Sequence, residues 1–156
     1  MADTLDDALK QLSAVSSSLN QASDKLSQHL AEVETSIGTY KLGVSVWIDL
    51  RKEKQWSDPG TDGRCYEWTA VDLLGYGKLK GKWGLLVASY CEETFEGDAK
   101  ECFLRDAPRD TRLAAVEKLP DLIKALTKEA AKVAEDATKK AERTRQIAAG
   151  LGKKSR

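Results

Sequence analysis

Leu5, Leu12, Leu19, Leu26 and Val33 recur at a strict seven-residue interval, with Ala8, Val15 and Ala22 three residues behind successive leucines. A seven-residue repeat draws one apolar stripe along a helix, so this pattern predicts a helix over 3–37 carrying a coiled-coil seam. Leu9, Leu30 and Ile37 lie one position further round and widen the stripe. The C-terminal part of this helix is therefore expected to meet more than one neighbour. Asp3 or Thr4 suits the N-cap, Asp6 and Asp7 fall where the helix dipole favours negative charge, and Gly38 suits the stop.

At Thr39 the period changes from helical to two. Tyr40, Leu42, Val44, Val46, Ile48 and Leu50 alternate with Lys41, Gly43, Ser45, Trp47, Asp49 and Arg51, which predicts a strand. The polar stretch from Lys52 to Arg64 holds Ser57-Asp58-Pro59-Gly60 and Asp62-Gly63, turn chemistry that predicts a long loop around Trp56. Cys65 to Lys78 and Lys82 to Glu93 read as a hairpin closed at Lys80-Gly81. A shorter fourth strand is expected near Lys100 to Leu104, after a turn at Glu96-Gly97-Asp98.

A two-residue turn at Lys80-Gly81 sets the register of that hairpin. On one face Tyr76 is opposite Leu85, Leu74 opposite Val87 and Lys78 opposite Trp83, with Trp68 and Cys91 beside them. The other face sets Val71 beside Tyr90, Leu73 beside Ala88 and Leu86 beside Gly75. Both faces are apolar at the middle, unlike a sheet with one solvated side. One face is expected to meet helices; the other is expected to be covered by the Lys52 to Arg64 loop, by a second copy of the chain, or by a ligand.

The last block runs from Asp106, a plausible cap with Pro108 in the first turn, through Leu113, Val116, Leu119, Leu122, Ile123 and Leu126. It predicts a helix over 106–150, kinked or broken near Pro120, followed by a basic tail at 151–156. Past Thr127 the leucines give way to Ala130, Ala131, Ala134, Ala137 and Ala141, small residues that admit a close neighbour but bury little themselves.

The fold class expected is α+β, as one domain over 1–156: a long N-terminal helix, a four-stranded antiparallel meander over 39–105, and a long C-terminal helix. The helices would be about 50 and 60 Å long against about 33 Å for a ten-residue strand, so both must overhang the sheet. Pairing them antiparallel as a coiled-coil-like stalk would cover the overhang. It would also bring Asp3, Asp6 and Asp7 to Lys139, Lys140, Arg143 and Arg145.

Lys plus Arg and Asp plus Glu are 25 each, so no global field points to nucleic acid or an anionic membrane. The chain opens Met-Ala-Asp-Thr-Leu-Asp-Asp, acidic where a signal peptide is basic and then apolar, and the cytoplasm is the expected location. Cys65, Cys91 and Cys102 match neither a zinc ribbon nor a disulfide framework, so buried free thiols are expected. The single histidine, His29, supports no Ser-His-Asp or Cys-His constellation. The glycines between Gly75 and Gly84 lie across a hairpin and lack phosphate-loop spacing.

No catalytic, metal or cofactor-binding residue is therefore expected, and no cofactor. The candidate contacts are Trp47, Trp56 and Tyr90 on the sheet, and Lys139, Lys140, Arg143 and Arg145 near the end of the last helix. These point to a non-enzymatic protein–protein interaction or assembly module, a homo-oligomer or the binder of a protein partner. A small-ligand-binding or regulatory module using the aromatic sheet face is the alternative. Weak nucleic-acid binding through the basic helix end is a second alternative, although that segment has no interleaved aromatics. Membrane insertion is not expected, since no spanning segment is visible, and a membrane-surface role is weaker than the nucleic-acid one because this helix end offers alanines in place of large apolar anchors.

Overall fold

The computed structural model describes residues 2–56, 59–92 and 99–153. Helix α1 (Ala2–Thr39) starts ahead of Asp3 and Thr4, so both lie inside it and not at the cap position expected. It ends where Tyr40 N donates to Ile37 O at 3.1 Å and Lys41 N to Gly38 O at 3.2 Å. Lys41 and Gly43 then take positive φ of 49° and 65°, and the chain reverses before β1 (Val46–Trp56). The alternating run thus begins inside a turn.

Strand β1 is displaced along the chain from the expected run: it starts at Val46, not near Tyr40, and Lys52 to Trp56 belong to it instead of to a loop. The cause at its far end is a bulge between Asp49 and Arg51, where one extra residue slips the period. Before the bulge, Val46 and Ile48 share a face with Tyr76 and Leu74; after it, Arg51 pairs with Asp72 on that same face. Leu50, at the bulge, is buried. Beyond it the exposed, polar residues give no alternation to read.

Strands β2 (Glu67–Leu79), β3 (Lys82–Cys91) and β4 (Lys100–Phe103) complete a meander in the order β1-β2-β3-β4, antiparallel throughout. Lys80 and Gly81 both have positive φ, 49° and 81°, as a type I′ turn requires. The register is the one read from the sequence: Tyr76 opposite Leu85, Leu74 opposite Val87, Lys78 opposite Trp83. The turn expected at Glu96-Gly97-Asp98 lies outside the described residues, as do Ser57 and Asp58.

A single 3-10 turn, Leu104–Asp106, leads to α2 (Arg109–Lys153). Its first bond is donated by Arg112 N to Pro108 O at 3.0 Å, so Pro108 takes the cap position and Asp106 does not. Pro120 lies within an unbroken helix. Pro120 and Val116 are both exposed, so the carbonyl that loses its partner stays within reach of water.

Both helices lie on one face of the sheet, α2 over β1 and β2, α1 over β3. Leu74, Leu85, Leu104 and Leu122 are the largest apolar side chains shut away between the layers. Each contributes about 1.5–3 kcal/mol by leaving water. Polar contacts fix the ends of the layer. Glu34 accepts Leu85 N at 2.8 Å just beyond the end of β4. Arg51 donates to Asp72 at 2.5 Å, to Asp110 at 3.0 Å and to the buried Thr111 at 2.9 Å, tying α2 to the bulge.

The helices run in the same direction, which corrects the antiparallel stalk. Arg109 donates to Asn20 at 2.9 Å and Arg112 to Ser23 at 3.1 Å, both pairs 89 residues apart in sequence. Ile37 and Leu126 line one groove further along. The physical reason is the β4–α2 connection. Phe103, at the end of β4, is opposite Leu86, whereas Asp110 reaches Arg51, whose neighbours Asp72 and Ser89 are level with Lys100 at the strand's start. The chain therefore travels back along the sheet before α2 begins.

As a result the overhangs leave the sheet at opposite ends. Every residue from 4 to 22 and from 131 to 152 is exposed. Among the described residues the two overhangs do not pair into a coiled-coil-like stalk.

Candidate functional site

Three surfaces gather the residues singled out by sequence. The first is the sheet face turned away from the helices, where Val71, Leu86 and Ala88 are buried outside the main core. The described part of the neighbouring loop, 59–66, is exposed throughout and bonds within itself: Gly63 N to Gly60 O at 2.8 Å, and Tyr66 Oη to Asp62 at 2.8 Å. Backbone N–H donation from Arg64, with Tyr66 second, holds the Asp62 carboxyl below its usual range.

Trp47 does the covering instead. Its indole lies flat on Gly75, its partner across β1 and β2, so close that a Cβ there would sit 2.4 Å from the ring. Phe103 lies next to Gly84, and the Arg105 guanidinium stacks 4.5 Å above the Phe103 ring. Tyr90 is half-buried beside Val71. Trp56, at the far end of β1, is 64% exposed.

The second surface is the basic end of α2. Lys139 pairs with Glu135 and Lys140 with Asp136, both at 2.6 Å, and Arg145 pairs with Glu142 at 2.8 Å. Arg145, with Gln146 second, holds the Glu142 carboxyl below its usual range. Three of the four candidate cations are thus engaged within their own helix. Arg143 has no ion-pair partner among the described residues.

The third surface belongs to the helices. An apolar groove of about 860 Å³ opens between α1 and α2, walled by Val33, Ile37, Leu42, Ile123, Leu126 and Ala130. His29, Glu32, Ser36, Tyr40 and Thr127 supply its polar atoms, and His29 Nδ1 lies 3.1 Å from Glu32. Ile123, on the wall of this groove, is half-exposed. Beyond the sheet, α1 continues bare: Leu5, Leu12 and Val15 are 63%, 65% and 64% exposed, and Leu9 and Leu19 about half.

These bare positions continue the stripe that docks on the sheet. Ser23, Leu26, Leu30, Val33 and Ile37 face inwards, and Leu5, Leu9, Leu12 and Leu19 extend the same helix face into solvent. The heptad was legible in the sequence, but the end of its docked part was not.

The thiols depart from expectation: Cys65 is exposed, and Cys91 and Cys102 are half-buried. The reason is place, since Cys65 precedes β2 in the exposed loop. Burial, with the Asp106 charge second, raises the Cys102 thiol above its ordinary value. Among the described residues no three His, Cys, Asp or Glu side chains are grouped to hold a metal. No helix among them is long and apolar enough to cross a membrane. Compared with known proteins, the chain matches no family model, no curated protein and no solved structure.

Proposed function

We propose that this chain is a non-enzymatic protein–protein interaction module whose contact element is the N-terminal half of α1. The observation that carries the reading is the row Leu5, Leu9, Leu12, Val15 and Leu19, all exposed and all on one side of a helix, with no cover from the described residues of the chain. A helix presenting such a row is a protein-docking element, read by anchors at heptad spacing. At about 1.5–3 kcal/mol for full burial of each, five such side chains offset an association cost on the order of 4–15 kcal/mol. The sheet aromatics have a smaller share, because Trp47 is already seated on Gly75.

The test is a photo-crosslinking residue placed at position 12 of the full chain in cells, with position 17, on the opposite side of α1, as control. Position 12 is expected to capture protein, identified by mass spectrometry, and position 17 far less. Equal capture at the two positions would sink the proposal.

A further inference from the structure

We infer that the partner of the exposed seam is a second copy of this chain, bound so that the α1 overhang of each copy lies antiparallel along the α2 overhang of the other. The inference rests on the interaction reading above and names its partner.

Four observations carry it. The overhangs match in length, 4–22 and 131–152, about 28 and 33 Å of helix. They match in shape: α1 offers leucines, and α2 a row of small residues that lets a helix approach closely. Antiparallel alignment from the sheet edge outwards sets Leu19 near Ala134, Leu12 near Ala141 and Leu5 near Ala148. The tips match in charge, since in this register Asp6 and Asp7 come within two residues of the level of Arg145, and the two helix dipoles oppose there.

Symmetry supplies the fourth. Because α1 and α2 run the same way and overhang opposite ends, one two-fold axis across the helical layer pairs both overhangs at once, in a closed dimer with two identical contacts. Pairing α1 with α1 of the other copy would leave the α2 overhang bare.

Sedimentation of the full chain at micromolar concentration is expected to give twice the 17.2 kDa chain mass. Leu12→Glu and Leu19→Glu should each weaken the dimer by about tenfold or more, because a carboxylate would enter a helix seam, while dilute samples keep their helical signal. Chains with the native cysteines replaced by serine test the pairing itself. A mixture of Leu12→Cys and Ala141→Cys chains should form the mixed disulfide in excess over either self-disulfide. A single-chain mass at all concentrations overturns the inference, and so does a predominant Leu12→Cys self-disulfide. If the mass is that of one chain but position 12 still captures another protein in cells, only the second copy falls and the interaction reading stands.

Discussion

Adding one methyl group at Gly75 tests whether Trp47 really serves as the cover of the outer sheet face. An alanine Cβ would meet indole Cε3, Cδ2 and Cζ3 at 2.4, 2.6 and 2.8 Å. Carbon atoms rest about 3.5–4.0 Å apart, so the ring must lift by about 1 Å or swing away. Overpacking of this kind costs about 1–3 kcal/mol. For a chain of this size 1 kcal/mol moves Tm by about 2–4 °C, and Gly75→Ala is expected to lower it by about 2–12 °C. Trp47→Ala, which removes a ring only 37% exposed, should also destabilise. The decisive term is the coupling between them. With the indole gone, alanine at Gly75 meets no ring and recovers about 0.5–1 kcal/mol of backbone entropy, so the second substitution should be neutral or stabilising. Urea titrations followed by circular dichroism on the four members of the cycle measure this. Equal destabilisation by Gly75→Ala in both backgrounds would refute the close seat of Trp47.

Leu122, fully buried, and Leu12, 65% exposed, should respond oppositely to alanine in dilute monomer: a loss of about 2–5 kcal/mol for Leu122→Ala and under about 0.5 kcal/mol for Leu12→Ala, by denaturant titration. The Asp110 carboxyl is held below its usual range by Arg51 first and by the Thr111 backbone second. Its contribution is therefore complete above the ordinary carboxyl pKa of about 3.9 and is lost as pH falls through the lowered value, so Asp110→Asn should show a shallower fall of Tm on acidification than the parent chain. In a thiol-labelling time course read by mass, Cys65 should react first and Cys102 later, since Cys65 is exposed whereas burial raises the Cys102 thiol.

What the sequence determined by itself is local. The seven-residue repeat made α1 a helix, and Lys80-Gly81 settled the hairpin register down to individual pairs such as Leu74 with Val87. Both follow from periods and turn chemistry that involve neighbours a few residues apart. The second half of β1 was hidden because the bulge after Asp49 shifts the period just where the residues become polar.

Three features were decided by tertiary structure alone. The direction of α2 depends on how far the five residues after Phe103 carry the chain back along the sheet, a distance set by packing of Leu104 and by the grip of Arg51 on Asp110. The cover of the outer face depends on Trp47 finding a glycine across the strand pair. The exposed seam depends on where the sheet ends, because Leu12 and Leu26 occupy equivalent heptad positions and only Leu26 has β-strands beneath it. A stripe of leucines carries the same hydrophobic free energy in either half of α1; the length of the sheet decides which half the fold uses and which half is left for a partner.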